Sequence, residues 1–158
     1  MPKEHKYAIC AEWKGNLGSG TKDYRSYSRN YDLSAAGKQS VVAGSSDPAF
    51  RGDPGRYNPE DLLLGSLSAC HMLWVLHLCA DAGVVVIAYE DNAVGSMAEN
   101  ADGSGQFTSV SLRPKMTITD ASKIAESLAL HERAHEMCYI ARSVNFKVEC
   151  HPTVVSSS

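Results

Sequence analysis

The sequence predicts an α+β fold: N-terminal antiparallel strands, a long central helix, a β-hairpin, a second helix and a final strand. Three observations carry this reading. Apolar and polar residues alternate with period two over residues 7–13 and 107–118, which is the pattern of half-buried strands. Residues 58–82 open with a capping sequence and stay apolar up to a glycine. Residues 124–138 place apolar and histidine side chains at spacings of four and three, one face of a helix. Strand-rich blocks with helices set between them argue for α+β rather than for a regular βαβ alternation.

Taken in order, Tyr7, Ile9, Ala11 and Trp13 share one strand face, with Ala8, Cys10 and Glu12 on the other. Arg25, Tyr27, Arg29, Tyr31 and Leu33 predict a second strand over 24–33, and a short third strand is expected over 39–43. A Gly, Ser, Asp and Pro-rich loop then leads to Asn58, an N-cap, and Pro59, which suits the first helical position. Glu60 and Asp61 favour the positive end of the helix dipole, and Gly83 is the expected C-terminal stop. Val84 begins a β-branched strand extending toward Met97, and 100–105 form a turn. Along 107–118, Val110, Leu112, Met116 and Ile118 point inward while Ser109, Ser111, Arg113, Lys115 and Thr117 point outward. Pro114 implies an edge or a bulge there. Asp120 caps a second helix to about Cys138, with Ile124, Leu128, His131, His135 and Cys138 as its stripe. Phe146, Val148 and Cys150 form one face of a closing strand, and a Ser-rich tail from about residue 153 is expected to fray.

Composition bounds the function. At 158 residues and 44% hydrophobic, the chain fits one domain, 1–158, with a core that needs no disulfide staples. Its five cysteines are an odd number, and residues 1–15 hold Lys3, Glu4, His5 and Lys6 without an apolar h-region. Free thiols in a cytoplasmic, reducing setting are expected. A net charge of −3 argues against a nucleic-acid grip. The apolar run from Leu62 to Tyr89 is broken by Asp81-Ala82-Gly83 and flanked by acids, which argues against a membrane span.

The thiols differ in context. Cys10 and Cys150 lie on strand faces and read as small core hydrophobes. Cys70 and Cys79 are nine residues apart on one helix, so they face opposite ways and cannot pair. Cys79 reads as structural. Cys70 follows the small residues Ser66, Ser68 and Ala69, which let a substrate or another chain approach closely. Cys138 ends the second helix.

Asn58-Pro59-Glu60, followed ten residues later by Ser-x-x-Ala-Cys-His ending at Cys70-His71, with Cys138 on a second helix about 70 residues on, resembles the OsmC/Ohr family of thiol peroxidases. The resemblance extends over roughly 7–152. It implies an intertwined homodimer that reduces organic hydroperoxides, with Cys70 as peroxidatic thiol, Cys138 as resolving thiol, and a nearby arginine. Arg51 is the preferred candidate because Gly52 lets its loop fold over a site; Arg29 is the alternative, and Arg56 lies in the same loop as Arg51. The family often has proline after the second cysteine, where this chain has Tyr139.

The chemistry explains these residue types. A thiolate attacks the peroxide, and an arginine favours the charged sulfur and binds peroxide oxygens. Glu60 would hold that arginine by a bidentate pair. The resulting sulfenic acid condenses with a second thiol, and an external dithiol reduces the disulfide, so no bound cofactor is required. Leu63, Leu64, Leu67, Met72 and Trp74 are the expected apolar pocket. On one straight helix, ten residues rise about 15 Å, beyond the reach of a glutamate. If Glu60 serves the thiol, it serves the Cys70 of another chain, which predicts a homodimer with composite sites. Two other readings stand beside the enzyme: a non-enzymatic ligand-binding protein on the same fold, and a metal site. The metal site would use His131, His135 and Cys138, at i, i+4 and i+7, completed by His71 or Cys70.

Overall fold

Residues 1–158 are all described by a computed structural model, in which the expected elements follow one another in the expected order. The chain forms two compact units, Met1–Leu62 and Leu63–Ser158.

In the first unit, β1 (Cys10–Trp13), β2 (Tyr31–Ser34) and β3 (Val42–Gly44) form an antiparallel sheet in the order β1-β2-β3. The strand expected over 24–33 is only its last few residues. Arg29 explains why: its guanidinium lies over the rings of Tyr24 and Tyr27, at 4.3 and 3.9 Å, and donates to both of their carbonyls. Those two carbonyls are taken up locally and are lost to a ladder. Gly44 is required where it stands, because a Cβ there would lie 2.2 Å from the Tyr31 ring. Cys10 is exposed rather than buried, as is every residue of β1. This edge strand has no layer over it.

Helix α1 runs from Pro59 to Asp81. Asn58 Oδ1 accepts from the Asp61 N–H (2.8 Å) and Asp61 Oδ2 accepts from the Asn58 N–H (3.0 Å), a reciprocal cap that satisfies two donors at the helix start. Gly83 ends the helix at φ 71°, and the Val84 N–H returns to the Cys79 carbonyl at 2.8 Å. That closure needs a left-handed residue, which only glycine adopts without strain. The helix has the length and apolar composition of a membrane span. Here Leu67, Val75 and Cys79 are instead committed to protein cores.

The second unit is built on a long hairpin that bends in the middle. β4 (Val86–Asp91) pairs antiparallel with β7 (Pro114–Ile118), and β5 (Val94–Glu99) with β6 (Gly105–Leu112). What the sequence pattern presents as one strand over 107–118 is thus two, broken at Arg113 beside Pro114, which has no N–H to give. The final segment breaks at the same level: β8 (Lys147–Cys150) runs parallel to β6, and β9 (Thr153–Ser156) parallel to β7, across His151-Pro152. Two three-stranded sheets result, β4-β7-β9 and β5-β6-β8. Asp91 braces the bend, its carboxylate accepting from the Arg113 N–H at 2.7 Å and from Ser68 Oγ on α1 at 2.6 Å.

Val110, Leu112, Met116 and Ile118 are all 1% exposed or less, as the alternation requires. The tail is tied rather than frayed: Ser156 belongs to β9, the Ser157 N–H bonds the Ile118 carbonyl, and Ser158 Oγ bonds that of Thr119. Asp120 caps a 3-10 turn, Ala121–Lys123, that leads into α2 (Ile124–Met137). The buried face of α2 is Ser127, His131 and Ala134, continued by Cys138, and Leu128 is exposed. The stripe is rotated from the expected one because the small Ser127 and Ala134 allow close approach to the core. Ser127 Oγ is satisfied by the Lys123 carbonyl at 2.8 Å.

Candidate functional site

Helix α1 presents Cys70 and His71 as neighbours about 100° apart around its axis, and each meets a different partner from α2. Cys70 is half-buried, and its sulfur lies near enough to that of Cys138, which is buried at the C-terminal cap of α2, to act on it electrostatically. Cys138 Sγ also accepts from the Ala141 N–H at 3.4 Å, held there by the 3-10 turn Ala141–Ser143. Burial, with the Cys70 sulfur adding to it, pushes the Cys138 thiol up to about 11. Near neutral pH it therefore keeps its proton. Two thiols brought near each other by α1 and by the end of α2 form the one neighbouring cysteine pair that includes Cys70.

Around this pair, Leu67 is fully buried in a core with Val110 and Leu112, and Leu64 packs against them. Leu67 is thus a core residue and not a pocket wall. Trp74 lines a cleft of about 240 Å³ with Leu73 and His77, and its ring meets that of Tyr139 edge-on at 5.6 Å. Tyr139, standing where the family often has proline, gives Cys138 an aromatic neighbour on this apolar surface.

The arginine candidates belong to the first unit. Arg29 is engaged with Tyr24 and Tyr27. Arg56 donates to the carbonyls of Tyr31 and Gly44 and faces Asp32 at 3.7 Å, so it braces the β2–β3 region. Arg51 follows the 3-10 turn Pro48–Phe50 at φ 64° and its side chain pairs with no acid in the chain. Glu60 is likewise without an ion pair. Its charge reaches Tyr31, whose phenol is raised by burial first and by Glu60 and Asp61 second. The Arg51–Glu60 pair is not made within one chain.

The second cluster is one that the residue pattern did not expose. His71 Nε2 lies 3.1 Å from His131 Nδ1 and 3.3 Å from Cys150 Sγ. His131 thus meets His71 and Cys150, whereas Cys138 is turned to Cys70 and His135 lies outside the cluster. Cys150 is accordingly no inert core thiol. Burial holds both rings neutral: His71 is lowered to about 4, by desolvation and then by His135, and His131 to about 4, by desolvation and then by His71. Burial, and then Asp91, pushes the Cys150 thiol up to about 12. Tyr89 stacks on His131 at 6.2 Å. The only sequence signal for this meeting was the placement of His71 beside Cys70 and of His131 on the buried stripe; the parallel β6–β8 pairing that delivers Cys150 carries no local signature.

Comparison with known proteins agrees with this architecture. Residues 52–151 match the family model described as OsmC-like protein. An OsmC-like protein of unknown function from Vibrio cholerae is similar in structure, with a TM-score of 0.84 at 30% identity, covering 95% of this chain and all of that one. An OsmC-like protein from Mycoplasma pneumoniae superposes with a TM-score of 0.71 at 16% identity, over 97% of this chain and 99% of that one. An organic hydroperoxide resistance protein from Elizabethkingia anophelis gives 0.65 at 18% identity, over 99% of this chain and 100% of that one. No curated protein matches the sequence significantly. With the family model spanning well over half of its length and the fold shared from end to end, the chain belongs to the OsmC-like family.

Proposed function

We propose that this protein is a cytoplasmic thiol-dependent peroxidase that reduces organic hydroperoxides and works as a homodimer. The observation that carries the reading is the nearness of the Cys70 and Cys138 thiols, one half-buried sulfur beside one buried sulfur. The Cys70 thiolate attacks the terminal peroxide oxygen. The O–O bond breaks, the alkoxide takes a proton and leaves as an alcohol, and Cys70 becomes a sulfenic acid. Cys138 then attacks that sulfur, water departs, and a disulfide forms. An external dithiol returns both thiols. The Trp74–Tyr139 surface suits an alkyl or lipid chain.

Pairing supplies what one chain lacks. Leu73, Val85 and Ile87 are 62%, 57% and 56% exposed, an apolar surface of the kind a second copy covers. Tyr7 and Ile9 beside β1 are also bare. In the dimer, Arg51 and Glu60 of one copy serve the Cys70 of the other, Glu60 orienting the guanidinium and the guanidinium binding the peroxide oxygens. The test is to mix reduced protein with cumene hydroperoxide and count thiols. Loss of two thiols per chain, abolished in Cys70→Ser, is expected. Full turnover by Cys70→Ser, or a fully active monomer in sedimentation, overturns the proposal. An unreactive Cys70 with a co-purified ligand identifies a binding protein instead.

A further inference from the structure

The cluster around His71 belongs to none of this chemistry. Three potential ligand atoms from three elements converge there: His71 Nε2 from α1, His131 Nδ1 from α2 and Cys150 Sγ from β8, all within 4.8 Å of one another. We propose that these three atoms form a binding site for a borderline divalent transition metal, zinc being the best match, with a fourth position open to solvent or a small ligand.

Geometry supports this. Tetrahedral zinc with Zn–N of about 2.05 Å and Zn–S of about 2.3 Å needs N···N near 3.3 Å and N···S near 3.6 Å. The observed 3.1 and 3.3 Å match two of these edges to within a few tenths of an ångström, and the third, His131 Nδ1 to Cys150 Sγ, lies within 4.8 Å and closes as the ligands draw in. Proton accounting points the same way. Each neutral ring has one N–H, and the outer nitrogens, His71 Nδ1 and His131 Nε2, are buried with no partner. No hydrogen bond therefore fixes either tautomer, and each ring can carry its proton outside while presenting a lone pair inward. Without a cation, His71 Nε2 has a single proton or a single lone pair to share between His131 Nδ1 and Cys150 Sγ. A cation accepts all three lone pairs at once.

Access is also provided. His131 and Cys150 form part of the wall of a cleft of about 770 Å³ that also includes Leu128, His135 and Pro152. A fourth ligand enters from that side. His135, one turn from His131, has a buried Nδ1 without a partner, which suits a group held just beyond the metal. Binding forms an S–metal bond while Cys150 releases its proton to solvent, so uptake strengthens as pH rises.

The experiment uses cobalt(II) as an optical substitute for zinc, in wild type and in a Cys70→Ser/Cys138→Ser double variant that has lost the proposed peroxidase pair. One equivalent per chain, with a sulfur-to-cobalt charge-transfer band and intense tetrahedral visible bands, is expected in both, and loss of the band in Cys150→Ser. No band in wild type, survival in Cys150→Ser, or disappearance in the double variant overturns the site. If Cys150→Ser fails to fold, alkylation decides: zinc must slow labelling of Cys150 in the double variant while leaving exposed Cys10 unchanged. Equal labelling with and without zinc refutes the proposal. Since the double variant cannot cycle peroxide, failure here leaves the peroxidase reading untouched, and the reverse also holds.

Discussion

In the proposed cycle, the elevated Cys138 thiol makes the resolving step the pH-sensitive one. Raising a thiol from 9.0 to about 11 disfavours its thiolate by about 2.7 kcal/mol, at 1.36 kcal/mol per unit. At pH 8 this leaves about one Cys138 in a thousand ionised, against about one in ten for an unshifted thiol. Burial is the leading cause and persists after Cys70 is oxidised, so the sulfenic acid waits for a scarce thiolate. Its decay into the disulfide should accelerate about tenfold per pH unit from pH 7 to 9, because rate follows the thiolate fraction. The assay is rapid oxidation with one equivalent of hydroperoxide, quenching with a dimedone trap at intervals, and mass spectrometry of the Cys70 peptide at each pH. A decay rate that is flat between pH 7 and 9, or that is unaltered in Cys138→Ser, would refute Cys138 as a buried, protonated resolving thiol.

Four further outcomes follow from the same contacts. Asp91→Ala should destabilise the protein by about 3 kcal/mol in urea unfolding, since it removes two charge-assisted hydrogen bonds worth about 1.5–3 kcal/mol each and leaves the half-buried brace empty; a loss below 1 kcal/mol, on the order of one neutral bond, would contradict it. Asn58→Ala removes the α1 cap and should cost about 1 kcal/mol, read as a lower urea midpoint with an unchanged slope. His71 and His131 both have folded values near 4, below their unfolded 6.5, so the unfolded chain binds more protons between those limits. Stability of chelator-treated protein should therefore be full above pH 6.5 and fall toward pH 4, and a flat urea midpoint over that window would count against the buried neutral pair. Arg51→Lys should lower peroxide turnover with little change in urea midpoint, because Arg51 makes no ion pair in the chain; equal turnover removes it from the site.

Local chemistry made much of this fold legible. The Asn58-Pro59 start and the Gly83 stop place α1 to within a residue, because capping and left-handed closure depend on single side chains. The inward set Val110, Leu112, Met116 and Ile118 was readable for the same reason: alternation reports one buried face. What was not legible depended on partners distant in sequence. The tyrosines at 24 and 27 alternate like a strand, yet stacking on Arg29 uses them locally. The break at Arg113 falls where Asp91, 22 residues away, takes up the freed N–H. Cys150 on an apolar strand face looks like packing until the parallel pairing with β6 sets it opposite Leu112 and His71 comes within reach from α1.

The five thiols are best understood through what burial does to each. Cys79, Cys138 and Cys150 are all raised by desolvation, which holds them as thiols and makes them poor first nucleophiles toward a peroxide. Cys10 is exposed on an edge strand and has no second thiol hydrogen-bonded to it, so its oxidation has no internal route to a disulfide. Cys70 alone combines partial access with a neighbouring thiol that still carries a proton. In the proposed cycle, selectivity among chemically identical groups then comes from suppressing the others as much as from activating one. Peptide mapping at one equivalent of hydroperoxide should place oxidation at Cys70 and Cys138 before any appears at Cys10; oxidation that starts at Cys10 would show that exposure, not the buried partner thiol, decides where a peroxide reacts.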